Sequence, residues 1–232
     1  MRYDITYMMQ RYNIHNNYEL PRLVSFPRTG SHWFRYVMEV AVKMPAMVSS
    51  YYYPNPDKCW GIHIHDRWLD NTDVPPTYNL QNVIYLYRDP KDTIYSQLRY
   101  DKTIQESWNG ERSESLDKEV NAIINQYTAH LLRWRFNNSD IKNYLEIRYE
   151  DMMKDPFSVF KNVFKFLSLE CDDELLRRAI ADATKDRIDS LITDRHAMDP
   201  LSAYNEQKHK EFKKSFFEKY GSLIEERFKG LI

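Results

Sequence analysis

Five consecutive residues, Val83-Ile84-Tyr85-Leu86-Tyr87, constrain this chain more than any other stretch. A strand with one wet face alternates apolar and polar residues, whereas this run is β-rich without a break and suits the centre of a sheet covered on both sides. Such burial is met by parallel strands whose connecting helices pack on the two faces. The run ends at Arg88-Asp89-Pro90, where a helix is expected to open.

The rest of the chain repeats the alternation. Leu23-Val24-Ser25-Phe26 is a second short apolar run, stopped by Pro27. From Ser31 the period becomes helical through Trp33, Phe34, Val37, Met38, Ala41 and Val42, with Pro45 expected to close the helix. Residues 46–58 carry turn signals and read as a loop, Trp60 to His65 alternates as a strand, and Asn71 to Thr77 reads as a loop. Leu116, Val120, Ile123, Ile124, Tyr127 and Leu131 mark a long amphipathic helix. Leu145 to Tyr149 reads as a fourth strand, and helices are expected over 157–168, 172–184 and 209–230. This pattern predicts an α/β fold of three layers, a mostly parallel central sheet flanked by helices. With no internal repeat or low-complexity linker, one domain over residues 1–232 is expected.

Charge narrows the partners. Lys and Arg number 33 against 34 Asp and Glu, a net of −1, so neither nucleic acid nor an anionic membrane is expected as the main partner. Any polyanionic ligand must then rest on a few well-placed cations. The two cysteines, Cys59 and Cys171, lack metal-site or redox spacing and read as reduced thiols. No stretch approaches the roughly 20 apolar residues of a membrane span, and Met1 to Asn17 has no apolar run of the signal-peptide kind. The expectation is a cytoplasmic protein without a membrane span.

Phe26-Pro27-Arg28-Thr29-Gly30-Ser31-His32-Trp33 joins a buried strand to a helix N-terminus, where unpaired N–H groups and the helix dipole favour an anion. Gly30 permits close approach of the backbone, Thr29 and Ser31 offer hydroxyls, and Arg28 brings a forked, permanent charge. The GxxxxGK[ST] signature is absent, and the segment taken alone is an ordinary turn. A second signal changes its weight. Arg88 ends the best strand and Ser96 lies two turns into the next helix, so the two are placed to converge on one phosphate. Singly, each also reads as a surface ion-pair partner or a plain helix hydroxyl.

Pro27-Arg28-Thr29-Gly30-Ser31-His32-Trp33, Arg88-Asp89-Pro90-Lys91-Asp92 with Ser96, and Arg148-Tyr149-Glu150-Asp151-Met152 together resemble, in order and spacing, the motifs of the sulfotransferases that use 3′-phosphoadenosine 5′-phosphosulfate (PAPS). The resemblance covers about residues 21–170 and implies a fold like that of the P-loop nucleotide-binding proteins. It implies that Arg28, Thr29, Gly30, Ser31 and His32 line the 5′-phosphosulfate, and that Arg88 and Ser96 hold the 3′-phosphate. Trp33 and Tyr149 are similar to residues on the adenine side, with ordinary core packing as the other reading, and Thr184 is a looser match. PAPS is the implied donor and PAP (3′-phosphoadenosine 5′-phosphate) the product.

A base is also needed to take the acceptor's proton. His65 ends the second strand 23 residues before Arg88, close to the family's spacing for its catalytic histidine. His63 shares its face and falls where relatives carry a lysine, and Asp66 could orient an imidazole or act as the base. The His-x-His pair has no companion ligands at metal spacing, so no metal is expected. Two departures stand out. Arg28 replaces a lysine and cannot give up its proton near neutrality, and His32 replaces a threonine. The family's late 3′-phosphate motif has no clear counterpart, although Lys208, Lys210, Lys213 and Lys214 are nearby cations.

The function expected is sulfuryl transfer to a hydroxyl, or less readily an amine, of a small molecule, glycan or lipid headgroup. Trp60, Trp68, Trp108 and Tyr51 to Tyr53 are candidates for an aromatic acceptor wall. Two other readings stand beside it: a small kinase, disfavoured by the missing lysine after Gly30, and a non-catalytic nucleotide-binding member. No residue pattern selects the acceptor or the oligomeric state.

Overall fold

The computed structural model describes residues 19–47, 51–55, 57–66, 80–100, 113–191 and 206–232. Its sheet has five strands: β1 (Arg22–Ser25), β2 (Ala46–Met47), β3 (Gly61–Ile64), β4 (Asn82–Tyr87) and β5 (Asn143–Arg148). They lie in the order β2-β3-β1-β4-β5, and every neighbouring pair is parallel. The helices are α1 (Ser31–Val42), α2 (Pro90–Tyr100), α3 (Ser113–Leu131), α4 (Tyr149–Lys154), α5 (Pro156–Leu167), α6 (Asp173–Asp182), α7 (Lys185–Leu191) and α8 (Glu206–Phe228). A π-helical turn, Leu132–Phe136, extends α3 and closes with Asn137 N donating to Leu132 O at 2.9 Å.

The three layers follow from which side of the pleat each apolar residue occupies. Leu23, Ile84, Leu86 and Ile147 face α1, α5 and α6, while Val24, Val83, Tyr85 and Tyr87 face α2, α3 and α8. Five of the six residues of β4 are therefore buried, as its unbroken apolar sequence requires.

Three boundaries differ from the sequence pattern. Helix α1 stops at Val42, not at Pro45, because Lys43 turns left-handed at φ 54° and its N–H returns to Glu39 O. Ala46–Met47, expected within a loop, pairs with Gly61 and Ile62 as a short edge strand. Tyr149, expected to end a strand, instead opens α4. Helix caps explain two further starts: Asp155 accepts from Ser158 N with Pro156 behind it, and Asp172 accepts from Leu175 N. Cys59 and Cys171 are both free thiols. Among the described residues no helix is long and apolar enough to cross a membrane.

One buried ion pair holds a loop against α1. Arg35 and Glu39, one helical turn apart and each no more than 1 % exposed, meet at 3.1 Å. The second Glu39 oxygen accepts from Tyr52 N at 2.6 Å and Tyr53 N at 3.3 Å. Burial pushes the Glu39 carboxyl above its usual range, and Arg35 with these amides opposes that shift. Glu39→Ala is expected to cost about 3–5 kcal/mol, because it takes the carboxylate from a buried guanidinium and the acceptor from two amides. Urea unfolding measures this, and a loss below about 1 kcal/mol, typical of surface pairs, would contradict the account.

Candidate active site

Because all strands run the same way, their carboxyl ends gather at one edge. β1 lies between β3 and β4, and the chain crosses β1 in passing from β3 to β4. In open α/β sheets ligands bind outside the strand ends at such a point.

The segment after β1 is curled by two left-handed residues, Arg28 at φ 70° and Gly30 at φ 96°. The Thr29 hydroxyl donates to Phe26 O at 2.7 Å and is buried, so it shapes the loop from within. Phe34 N donating to Gly30 O at 3.0 Å is the first helical bond. The N–H groups of Ser31, His32 and Trp33 therefore have no intrahelical acceptor and point along the axis toward the loop. A Cβ on residue 30 would lie 2.4 Å from Tyr149 Cδ2, so glycine is required there by both φ and space.

Two arginines converge on this loop. Arg28 Nε donates to Ser96 Oγ at 3.2 Å, and its guanidinium stands 4.9 Å from the Tyr100 ring centre. Arg88 donates from Nη1 to Arg28 O at 3.3 Å and lies 4.5 Å over the Tyr149 ring. Its ion pair with Asp92 is loose, at 3.9 Å and partly exposed, and among the described residues its buried Nε has no hydrogen-bond partner. Buried donors are seldom left so, and a guanidinium with donors to spare fits an anionic ligand. Ser96, expected beside Arg88, is bonded to Arg28 and so ties α2 to the first loop.

The backbone around Arg88 is clamped. Tyr127 donates to Arg88 O at 2.7 Å and accepts from Arg88 N at 3.1 Å. Burial holds the Tyr127 phenol far above its ordinary range, so it stays neutral. Asp89 N donates to Glu150 Oε1 at 3.0 Å, and Glu150 Oε2 accepts from Arg148 Nε at 3.0 Å. Asp89 itself caps α2 by accepting from Lys91 N at 2.9 Å.

His63, within β3, and His65, just after it, have different surroundings. His65 Nδ1 lies 3.0 Å from Ser25 O, and a carbonyl only accepts, so the neutral ring carries its proton on Nδ1 and its lone pair on Nε2. His63 is 6 % exposed, and its Nε2 lies 3.0 Å from Ser25 Oγ. Burial drives His63 well below the usual imidazole range, which keeps it neutral. The two rings meet edge to face at 4.5 Å, so His63 supports His65 from the interior.

Sequence reasoning missed the residues that fix this turn. His130 Nε2 donates to His65 O at 3.0 Å, and Tyr85 donates to His130 Nδ1 at 3.0 Å. Burial pulls His130 down to about 3, so it is a neutral strut. Asp66, at φ 44°, accepts from Trp134 Nε1 at 2.7 Å, a bond that engages it with α3's extension and not with an imidazole. A histidine inside the apolar stripe of α3 was the one available signal.

Trp33 is half-buried against Phe160 at 5.7 Å, and Ser31 is buried in the first turn of α1. His32 is bonded through Nδ1 to the Tyr52 hydroxyl. Trp60 is 3 % exposed and packs in the core against Phe34. Thr184 accepts from Arg187 N at the start of α7. Lys213 pairs with Asp92 at 3.0 Å and so brings α8 to the turn bearing Arg88. Trp68, Trp108 and the loop over 71–77 lie outside the described residues, as does the side chain of Lys208. Among the described residues no cluster of three or more His, Cys, Asp or Glu is arranged to hold a metal ion.

A five-stranded parallel sheet flanked by helices, with a tightly curled loop between its middle strand and the following helix, is a fold of the P-loop-like class. The profile of the sulfotransferase domain matches residues 75–229, and the chain belongs to the sulfotransferase family. Cytosolic sulfotransferase 10 of Arabidopsis thaliana is 31% identical over 108 residues, which cover 43% of this chain and 31% of that protein. The chain thus spans about a third of that relative's length. Mouse sulfotransferase SULT7A1 complexed with PAP superposes with a TM-score of 0.57 at 21% identity, covering 90% of this chain and 88% of that one. Retinol dehydratase in a complex with retinol and PAP gives 0.53 at 16% identity, covering 100% and 86%. These likenesses establish the fold.

Gly30→Ala is expected to cost about 1–3 kcal/mol, because a left-handed backbone and the Tyr149 ring both resist a Cβ. Adding Tyr149→Ala should return the steric part of that loss. Urea unfolding of the single and double variants is the check, and a Gly30→Ala protein as stable as wild type would refute the close approach.

Proposed function

We propose that this chain transfers a sulfuryl group from PAPS to the hydroxyl of a small-molecule acceptor, with His65 as general base. One observation carries the reading: the loop with Arg28, the second cation Arg88 and the Nε2 lone pair of His65 all belong to the carboxyl edge of adjacent strands. The family and the PAP in the SULT7A1 and retinol dehydratase complexes support the donor. The retinol in the second complex, an alcohol, supports a hydroxyl acceptor of small-molecule type.

The donor supplies the sulfuryl group and leaves as PAP. Arg28 and the N–H groups opening α1 would face the 5′-phosphosulfate, and Arg88 the 3′-phosphate, with Trp33 and Tyr149 on the adenine side. His65 Nε2 accepts the acceptor's O–H proton as that oxygen bonds to sulfur and the bond from sulfur to the 5′-phosphate oxygen breaks. Arg28 neutralises the charge arriving on the leaving phosphate without giving up a proton. His65 then releases its proton to solvent. The reaction conserves charge and needs no redox partner.

PAP is expected to raise the unfolding midpoint, by about 2.7 kcal/mol of stability at one hundred times its dissociation constant. Stabilisation by ATP with magnesium alone would instead support a kinase. Arg88→Ala should weaken PAP binding by roughly tenfold or more, as loss of a charged hydrogen-bond partner does. His65→Ala should keep PAP binding and lose about 10²–10⁴-fold in turnover. Undiminished transfer by that variant would remove His65 from the base role.

A further inference from the structure

His32, Arg35, Tyr36 and Glu39 recur at three- to four-residue spacing and share one side of α1. That side meets Tyr52. Glu39 fixes Tyr52 N at 2.6 Å, the Arg35 guanidinium lies 5.2 Å from the Tyr52 ring centre, and the Tyr36 ring stands 5.4 Å from it. The phenol ends on His32 Nδ1. A residue 20 positions away is thus anchored to the helix that opens at the donor loop and returned to that helix's first turn.

The chemistry of this contact has one consistent proton arrangement. Tyr52 is 9 % exposed, and burial pushes its phenol far above the ordinary range, so its single proton stays in place. Among the described residues the hydroxyl has no bonding partner other than His32, so its proton goes to Nδ1. Burial, and then the charges of Arg35, His65 and Arg28, pull His32 down to about 3, so the ring is neutral. A neutral ring that accepts at Nδ1 carries its hydrogen on Nε2.

We propose that Tyr52 is a positioning residue: by donating to His32 Nδ1 it locks the imidazole in the Nε2–H tautomer, a neutral donor for the anionic oxygens at the 5′ end of the donor nucleotide. The inference rests on the proposed sulfuryl-transfer site and adds a residue to it. An unlocked ring would place a lone pair toward the ligand's oxygens in its other tautomer and repel them. Tyr52 prevents this from outside the loop.

The test is a double-mutant cycle with PAP as the probe, read by calorimetry, together with nitrogen-15 spectra of the histidine rings without ligand. Wild type should show His32 protonated at Nε2, and Tyr52→Phe should mix its tautomers while preserving the ring packing. Tyr52→Phe is expected to weaken PAP about tenfold in wild type and by less than about twofold when His32→Thr replaces the ring by a hydroxyl with no tautomer. Equal losses in both backgrounds would show that Tyr52 acts through packing alone and would overturn the proposal. So would a wild-type ring protonated at Nδ1. Wild type that fails to bind PAP would instead overturn the functional reading beneath it, and the ligand-free spectra would show separately whether the lock exists.

Discussion

Parallel hydrogen bonding of β1 to β3 on one side and β4 on the other is the constraint from which the site follows. Register along these pairs fixes where each strand stops, with Leu23 beside both His63 and Ile84. A slip of one residue would exchange the faces of a strand and carry His63 away from Ser25. The burial of β4 on both faces resists such a slip, since each of its apolar residues already fills a layer. Sheet packing and site geometry are therefore one requirement seen at two scales.

Beyond the strand ends, the polar side chains that hold the turns are mostly uncharged. Tyr127, His130 and Tyr85 form hydrogen bonds in the interior between α3 and the sheet, where burial keeps each of them neutral. Neutral groups avoid the desolvation cost of buried ions while still fixing backbone direction. Arg35 with Glu39 is instead a buried ion pair, and there the carboxylate's other oxygen is occupied by backbone amides.

Much of this was legible beforehand, for physical reasons. Val83 to Tyr87 announced an interior strand because a run without charged residues suits burial on both faces. The places of Arg28, Gly30 and Arg88 between a strand and a helix were legible because the residue pattern changes period at each junction. Ala46–Met47 was hidden because two edge residues carry no period. Tyr127 and His130 sat within a helical apolar stripe and read as filling, since their hydrogen bonds depend on partners 39 and 65 residues away. Ser96 was found in the right neighbourhood but against Arg28, because sequence gives the helix face and not which arginine reaches it.

Arg88 shows what such support accomplishes. Its backbone is gripped on both sides by one phenol, and its guanidinium lies on the Tyr149 ring with one nitrogen on Arg28 O. An arginine side chain carries about 2 kcal/mol of rotamer entropy that a flexible one would lose on meeting its ligand. Here that freedom is surrendered when the chain folds. On the proposed function the cation is preorganised, so the donor would meet a charge already in place and its affinity would not be eroded by the ordering of a long side chain.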